Sequence, residues 1–171
     1  EASQQHRQAL SKLRDAADSF EAGARAFKDK RFEEAATHFE AADSAVPSEK
    51  SLRLAIRART EANQGARAAS LAALALALYP NDDETSKLAK DTIAKFGPKL
   101  EEVKVSCVSP CILAAASHTV HGEASTRWTI YVEPGLVAID ASFFGDMSAP
   151  EQTIVATAGA STSIRFEPPK T

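Results

Sequence analysis

The chain has 171 residues, with 20 Lys and Arg against 23 Asp and Glu, a net charge of −3, and two cysteines. That length holds one ordinary domain or two small ones, and a core of that size needs no cofactor to sustain it. The mild negative charge argues against the basic stripe of a nucleic-acid or anionic-membrane binder, and the longest apolar run, 68–79, falls short of the roughly 18–20 residues of a membrane span.

Composition divides the chain. Residues 1–100 are rich in Ala, Lys, Arg and Glu, with 16 Lys and Arg against 15 Asp and Glu (+1); residues 101–171 are rich in Val, Ile, Thr, Ser and Phe, with 4 against 8 (−4). The spacing therefore predicts two domains, helical over 1–98 and stranded over 101–168, with the boundary near Gly97-Pro98. The chain opens without a methionine, as a processed form would; a removed signal peptide or anchor ahead of residue 1 would fit, and the sequence does not show one.

The first predicted helix covers about 3–29, where Leu10, Leu13, Ala17, Phe20, Ala24 and Phe27 recur at spacings of 3, 4, 3, 4 and 3. The same spacing suits a two-stranded coiled coil, so a homodimer through this stripe is one expected association. After a polar turn, Phe32, Ala35, Ala36, Phe39, Ala42 and Val46 form the apolar face of a second helix that Pro47 ends. A face of alanines lets another helix approach closely while the phenylalanines fill the gaps between turns. The expectation is a helical hairpin.

Gly23, Ala35, Phe39, Ala42 and Pro47 lie at intervals of 12, 4, 3 and 5. This resembles the tetratricopeptide repeat, whose signature of about 34 residues places Gly, Ala, aromatic, Ala and Pro so. The resemblance covers 16–49 and departs where the family has Trp and Leu, here Ser19 and Ala22. A second, degenerate unit follows at 50–80, with Leu52, Ala55, Ile56, Arg59 and Ala62, then a turn at 63–65, then Ala69, Ala72, Ala73 and Leu76; Arg57 stands at its glycine position. Residues 83–96 are expected as a capping helix with Leu88, Ile93 and Phe96. The resemblance implies a shallow concave face lined by Phe20, Ala24, Phe27, Lys28, Leu54, Ala58 and Glu61, a groove for a peptide or partner helix. The competing reading makes Phe20 and Phe27 core and leaves the face solvated or covered by the N-terminal helix.

From Glu102 the apolar period shifts toward 2. Short strands are expected at 102–107, 111–116, 127–135, 136–145, 152–159 and 161–168, arranged as a small antiparallel sandwich. In 127–135, Trp128, Ile130 and Val132 oppose Thr129 and Tyr131; in 136–145, Val137, Ile139, Ala141 and Phe143 share a face. Asp140 is expected toward solvent, or paired with Arg127 or Arg165. The last two strands are expected to pair around Gly159. The order of turn glycines, at His121-Gly122, Glu133-Pro134-Gly135, Gly145 and Gly159, resembles the small bacterial PEGA-type domain over about 65 residues, although Asp146 replaces the usual Tyr. That resemblance implies a non-enzymatic surface module, of the cell envelope or extracellular.

Val108-Ser109-Pro110 is expected to turn the chain between two strands and bring Cys107 and Cys111 together. An even count at this spacing suits a disulfide in an oxidising compartment; two free thiols, or redox or metal chemistry, are the alternatives. His118 and His121 could complete a zinc site with the cysteines, but their close spacing reads as polar turn. No metal site, phosphate loop or nucleophile elbow is expected. The function expected is a non-enzymatic adaptor or assembly factor, exported to the envelope (periplasmic or otherwise extracytoplasmic), that binds another envelope protein through a peptide or helix. The alternative is a glycan or cell-wall ligand module using Trp128, Tyr131, Phe143 or Phe144 as a stacking platform; an enzyme using the cysteines is the third class.

Overall fold

A computed structural model describes residues 2–170, and the side chain of Ala2 is not among them. Among the described residues five helices precede a seven-stranded sheet, the helix-then-sheet order expected. The chain divides at Gln64–Gly65 into two compact units.

The first unit holds α1 (Ala2–Lys28), α2 (Phe32–Ala45) and α3 (Glu49–Glu61). α1 and α2 form the expected hairpin. Its turn closes because Lys30 takes a left-handed backbone (φ 61°) and Arg31 N–H donates to the Ala26 carbonyl at 2.8 Å. Ala35, Ala36, Phe39 and Ala42 of α2 are buried, as is Ala26 of α1. At Gly23 the helices nearly touch: a Cβ there would lie 2.9 Å from the Phe39 ring. Phe20 meets Phe39 edge-on with centroids 5.5 Å apart, and Phe27 meets Phe32 at 5.0 Å. Small residues bring the backbones together and the rings fill what remains. Ser48 caps α3, its side chain accepting from Ser51 N–H, and the helix buries Leu52, Ala55 and Ile56. Its buried Arg59 donates to Glu40 of α2 at 2.8 Å and to Gln64 at 2.7 Å, so the cation enters the interior with partners.

The second unit starts with α4 (Gly65–Leu78) and α5 (Asp83–Phe96), which pack together; Gly65 lies where a Cβ would meet Phe96. After one turn of 3-10 helix at Gly97–Lys99 come β1 (Glu101–Ala115), β2 (His118–Thr119), β3 (Ser125–Val132), β4 (Gly135–Phe143), β5 (Met147–Ser148), β6 (Gln152–Ala156) and β7 (Ser161–Phe166). Gly97-Pro98, where composition changes, thus lies inside this unit, because α4 packs on β3.

All seven strands belong to one sheet built around β1. The first half of β1 lies between β3 (antiparallel) and β7 (parallel); its second half pairs with β4 and β2. Two expectations change here. Val108-Ser109-Pro110 does not reverse the chain: β1 runs on through it with a register shift against β3, bending so that one strand serves both halves. The last two strands do not pair with each other: β6 joins β4, and β7 joins β1. Glu101 supplies the reason. Its buried carboxylate accepts from Thr157 N–H at 2.9 Å and from Thr162 Oγ1 at 2.7 Å, tying the connection between β6 and β7 to β1. The core collects Val103, Val105, Leu113, Trp128, Ile130, Val132, Val137, Ile139, Ala141, Phe143 and Phe166, the alternation foreseen for β3 and β4.

Candidate functional site

The seven groove residues expected on the helices differ in what they expose. Phe20 and Phe27 are half-buried, held against Phe39 and Phe32, and Lys50 Nζ sits 5.2 Å from the centre of the Phe20 ring. Leu54 is half-buried, and Ala58 is fully buried, so it presents no surface. Ala24, Lys28 and Glu61 are exposed. The phenylalanines of this set are therefore hairpin core on one side and surface on the other.

The more open apolar surface lies earlier on α1. α2 has 14 residues against the 27 of α1, so an antiparallel α2 reaches back only about halfway along it. Leu10 and Leu13, which continue the Phe20–Phe27 stripe, are exposed beyond that reach. Over residues 2–14 the flanking charges are Arg7, Lys12 and Arg14, with no acidic residue.

In the second unit, a shallow cleft of about 360 Å³ is lined by Ile93, Pro98, Leu100, Glu102, Tyr131 and Ser161. Glu102 accepts from Tyr131 Oη at 3.2 Å and from Ser161 Oγ at 3.0 Å. Burial, and then the Glu102 charge and hydrogen bond, push the Tyr131 phenol up to about 12. Through Glu102 the phenol ties β3 to β1 and to Ser161 of β7. Tyr131 also shows why both faces of β3 are apolar: Trp128, Ile130 and Val132 enter the sheet core, while Tyr131 packs with Ala69 and Leu100, flanked by Ile93 and Phe96 of α5. A smaller cleft of about 140 Å³ is bounded by Ala73, Leu74, Val120, His121 and Trp128.

Cys107 and Cys111 form a disulfide at the bend of β1, with Cα atoms 6.2 Å apart, and the Trp128 indole N–H donates to the Cys111 carbonyl at 3.0 Å. His118 pairs with Ala115 at the β1–β2 hairpin. The aromatic platform foreseen for a glycan is not assembled: Trp128, Tyr131 and Phe143 are buried, and of the four only Phe144, 97 % exposed, faces solvent. Asp140 is half-buried on β4, in register with Ala114. Among the described residues no helix is long and apolar enough to cross a membrane. Compared with known proteins, the sequence matches no family model and no curated protein.

Proposed function

We propose that this chain is a non-enzymatic adaptor or assembly factor of a bacterial cell-envelope complex, with a tetratricopeptide-like helical part and a PEGA-like stranded part. The carrying observation is the apolar stripe of α1, which continues through Leu10 and Leu13 past the end of its partner helix. A half-stripe on a helix is what an amphipathic partner helix or peptide buries, with the leucines as anchors and the rim charges selecting the partner. Exposed Ala24 and Lys28 extend the same helix surface toward its C-terminus. The disulfide supports an extracytoplasmic site of action, since such bonds persist where the milieu is oxidising.

The test is a co-purification from the native envelope with Leu10→Asp/Leu13→Asp. Both side chains are exposed, so helix content by circular dichroism should be unchanged while the partner is lost. Retention of the partner at wild-type yield, with the fold intact, removes this surface from the account.

A further inference from the structure

Among the described residues five strands of the sheet pair with a single neighbour; β2 and β5 are two residues long, and the chain treats the other three differently. β3 is covered: Ser70 Oγ of α4 accepts from Tyr131 N–H at 2.9 Å and donates to its carbonyl at 3.4 Å, closing that edge. β7 carries a charged residue, Arg165, ion-paired with Glu167 at 3.4 Å, and the Arg165 carbonyl accepts from Gln152 Nε2 at 2.6 Å. β6 is held at one end only, where its own Gln152 makes that bond to β7. It reads Gln152-Thr153-Ile154-Val155-Ala156, and among the described residues it pairs only with β4. Every second residue of such a strand turns its N–H and C=O away from its one neighbour. Natural edge strands are usually protected by a charge, a proline or a bulge; within β6 there is none.

Two further features single out this edge. Val155 and Leu136 are cross-strand partners on β6 and β4, 74 % and 77 % exposed, and make an apolar step beside the free edge. The charges along β4, β6 and the connections next to them have one sign, while Arg165 of β7, whose carbonyl Gln152 reaches, is ion-paired with Glu167. Glu151 precedes β6; Asp140 follows Ile139, the partner of Gln152; Glu133 lies two residues before Gly135, the partner of Ala156. Between Arg127 and Arg165 there are four carboxylates, Glu133, Asp140, Asp146 and Glu151, and no Lys or Arg. A second copy is a poor occupant, because antiparallel pairing of β6 with itself brings the Glu151 end of one copy to the Glu133 end of the other.

We propose that the free edge of β6 adds a strand from a partner protein: an extended segment with alternating β-branched residues in its middle and Lys or Arg at its ends. Main-chain hydrogen bonds would supply binding, the Leu136–Val155 step would take an apolar side chain, and the carboxylates would select the basic ends. This site stands on the second unit alone and does not depend on the α1 surface.

Two synthetic peptides test it on the full chain at low salt: Lys-Val-Thr-Val-Thr-Val-Lys and the same peptide with Glu at both ends. Amide NMR should show the Lys-ended peptide shifting the 152–156 amides and slowing their exchange, with affinity at least about tenfold above that of the Glu-ended peptide. The double variant Glu133→Lys/Glu151→Lys changes two exposed side chains and should reverse that preference with the spectrum otherwise preserved. Unshifted β6 amides, equal affinity for both peptides, an unreversed preference, or shifts confined to other strands would each overturn the proposal, as would self-association through β6.

Discussion

Replacing Gly23 with Ala should have opposite effects depending on what stands at position 39. In an ordinary helix interior the change stabilises by about 0.5–1 kcal/mol, because Ala restricts the unfolded chain and favours the helix. Here the new Cβ would lie 2.9 Å from two carbons of the Phe39 ring, which is 1 % exposed and boxed in by Phe20 at 5.5 Å. Overpacking of that kind costs about 1–3 kcal/mol, so Gly23→Ala should lower stability by as much as about 2 kcal/mol in the native background. In a Phe39→Leu background the ring is gone and the same change should stabilise. The coupling in the double-mutant cycle should therefore be about 1–3 kcal/mol. Native-state hydrogen exchange of the α1 and α2 amides is the assay, since it reads the first unit separately. If Gly23→Ala raises stability equally in both backgrounds, the claim that these helices nest at Gly23 fails.

Three other outcomes follow from the second unit. Tyr131 should lose its proton near pH 12 in an ultraviolet titration; because its folded value lies above the ordinary 10.0, the stability it confers is complete below pH 10 and fades as pH rises from 10 toward 12. Glu102→Gln should bring that titration down, and an unmoved value would remove the charge from the explanation. Cys107→Ser/Cys111→Ser frees a loop with a sequence separation of only 4, so the loss should be about 2 kcal/mol with the fold retained, read by denaturant unfolding of Trp128 fluorescence. Ser70→Ala leaves Tyr131 N–H without its acceptor; a loss of about 1–2 kcal/mol and faster exchange of that amide are expected, and an unchanged exchange rate would mean that Ser70 does not guard β3.

How much was readable in advance depended on whether a signal was local. The α1–α2 hairpin was legible because Gly23, Ala35, Phe39 and Ala42 carry both the period and the size pattern of close helix packing. The inward face of β4 was legible for the same reason, with Val137, Ile139, Ala141 and Phe143 at period 2. The disulfide followed from two cysteines with one short interval between them. The course of β1 did not follow, because Pro110 and the small loop look like a reversal until β3, β4 and β7 are seen to share one strand. Nor did the parting of β6 from β7, which turns on a glutamate, Glu101, more than fifty residues away in sequence from Thr157. Composition changes where helix gives way to strand, near Gly97-Pro98, whereas the compact units meet at Gln64–Gly65, because α4 and α5 pack with the sheet and composition cannot register a packing partner. Of the groove residues, periodicity marked Phe20 and Phe27 as apolar, but only tertiary contacts show that half of each ring is already used within the hairpin.

Docking through α1 is tested most directly by site-directed photocrosslinking in the native envelope. A photoreactive phenylalanine analogue placed at Leu13 should yield one discrete protein adduct, and the same analogue at exposed Arg57 of α3 should not. No adduct from position 13, or indistinguishable adducts from both positions, would contradict a partner seated on the unpaired end of the first helix.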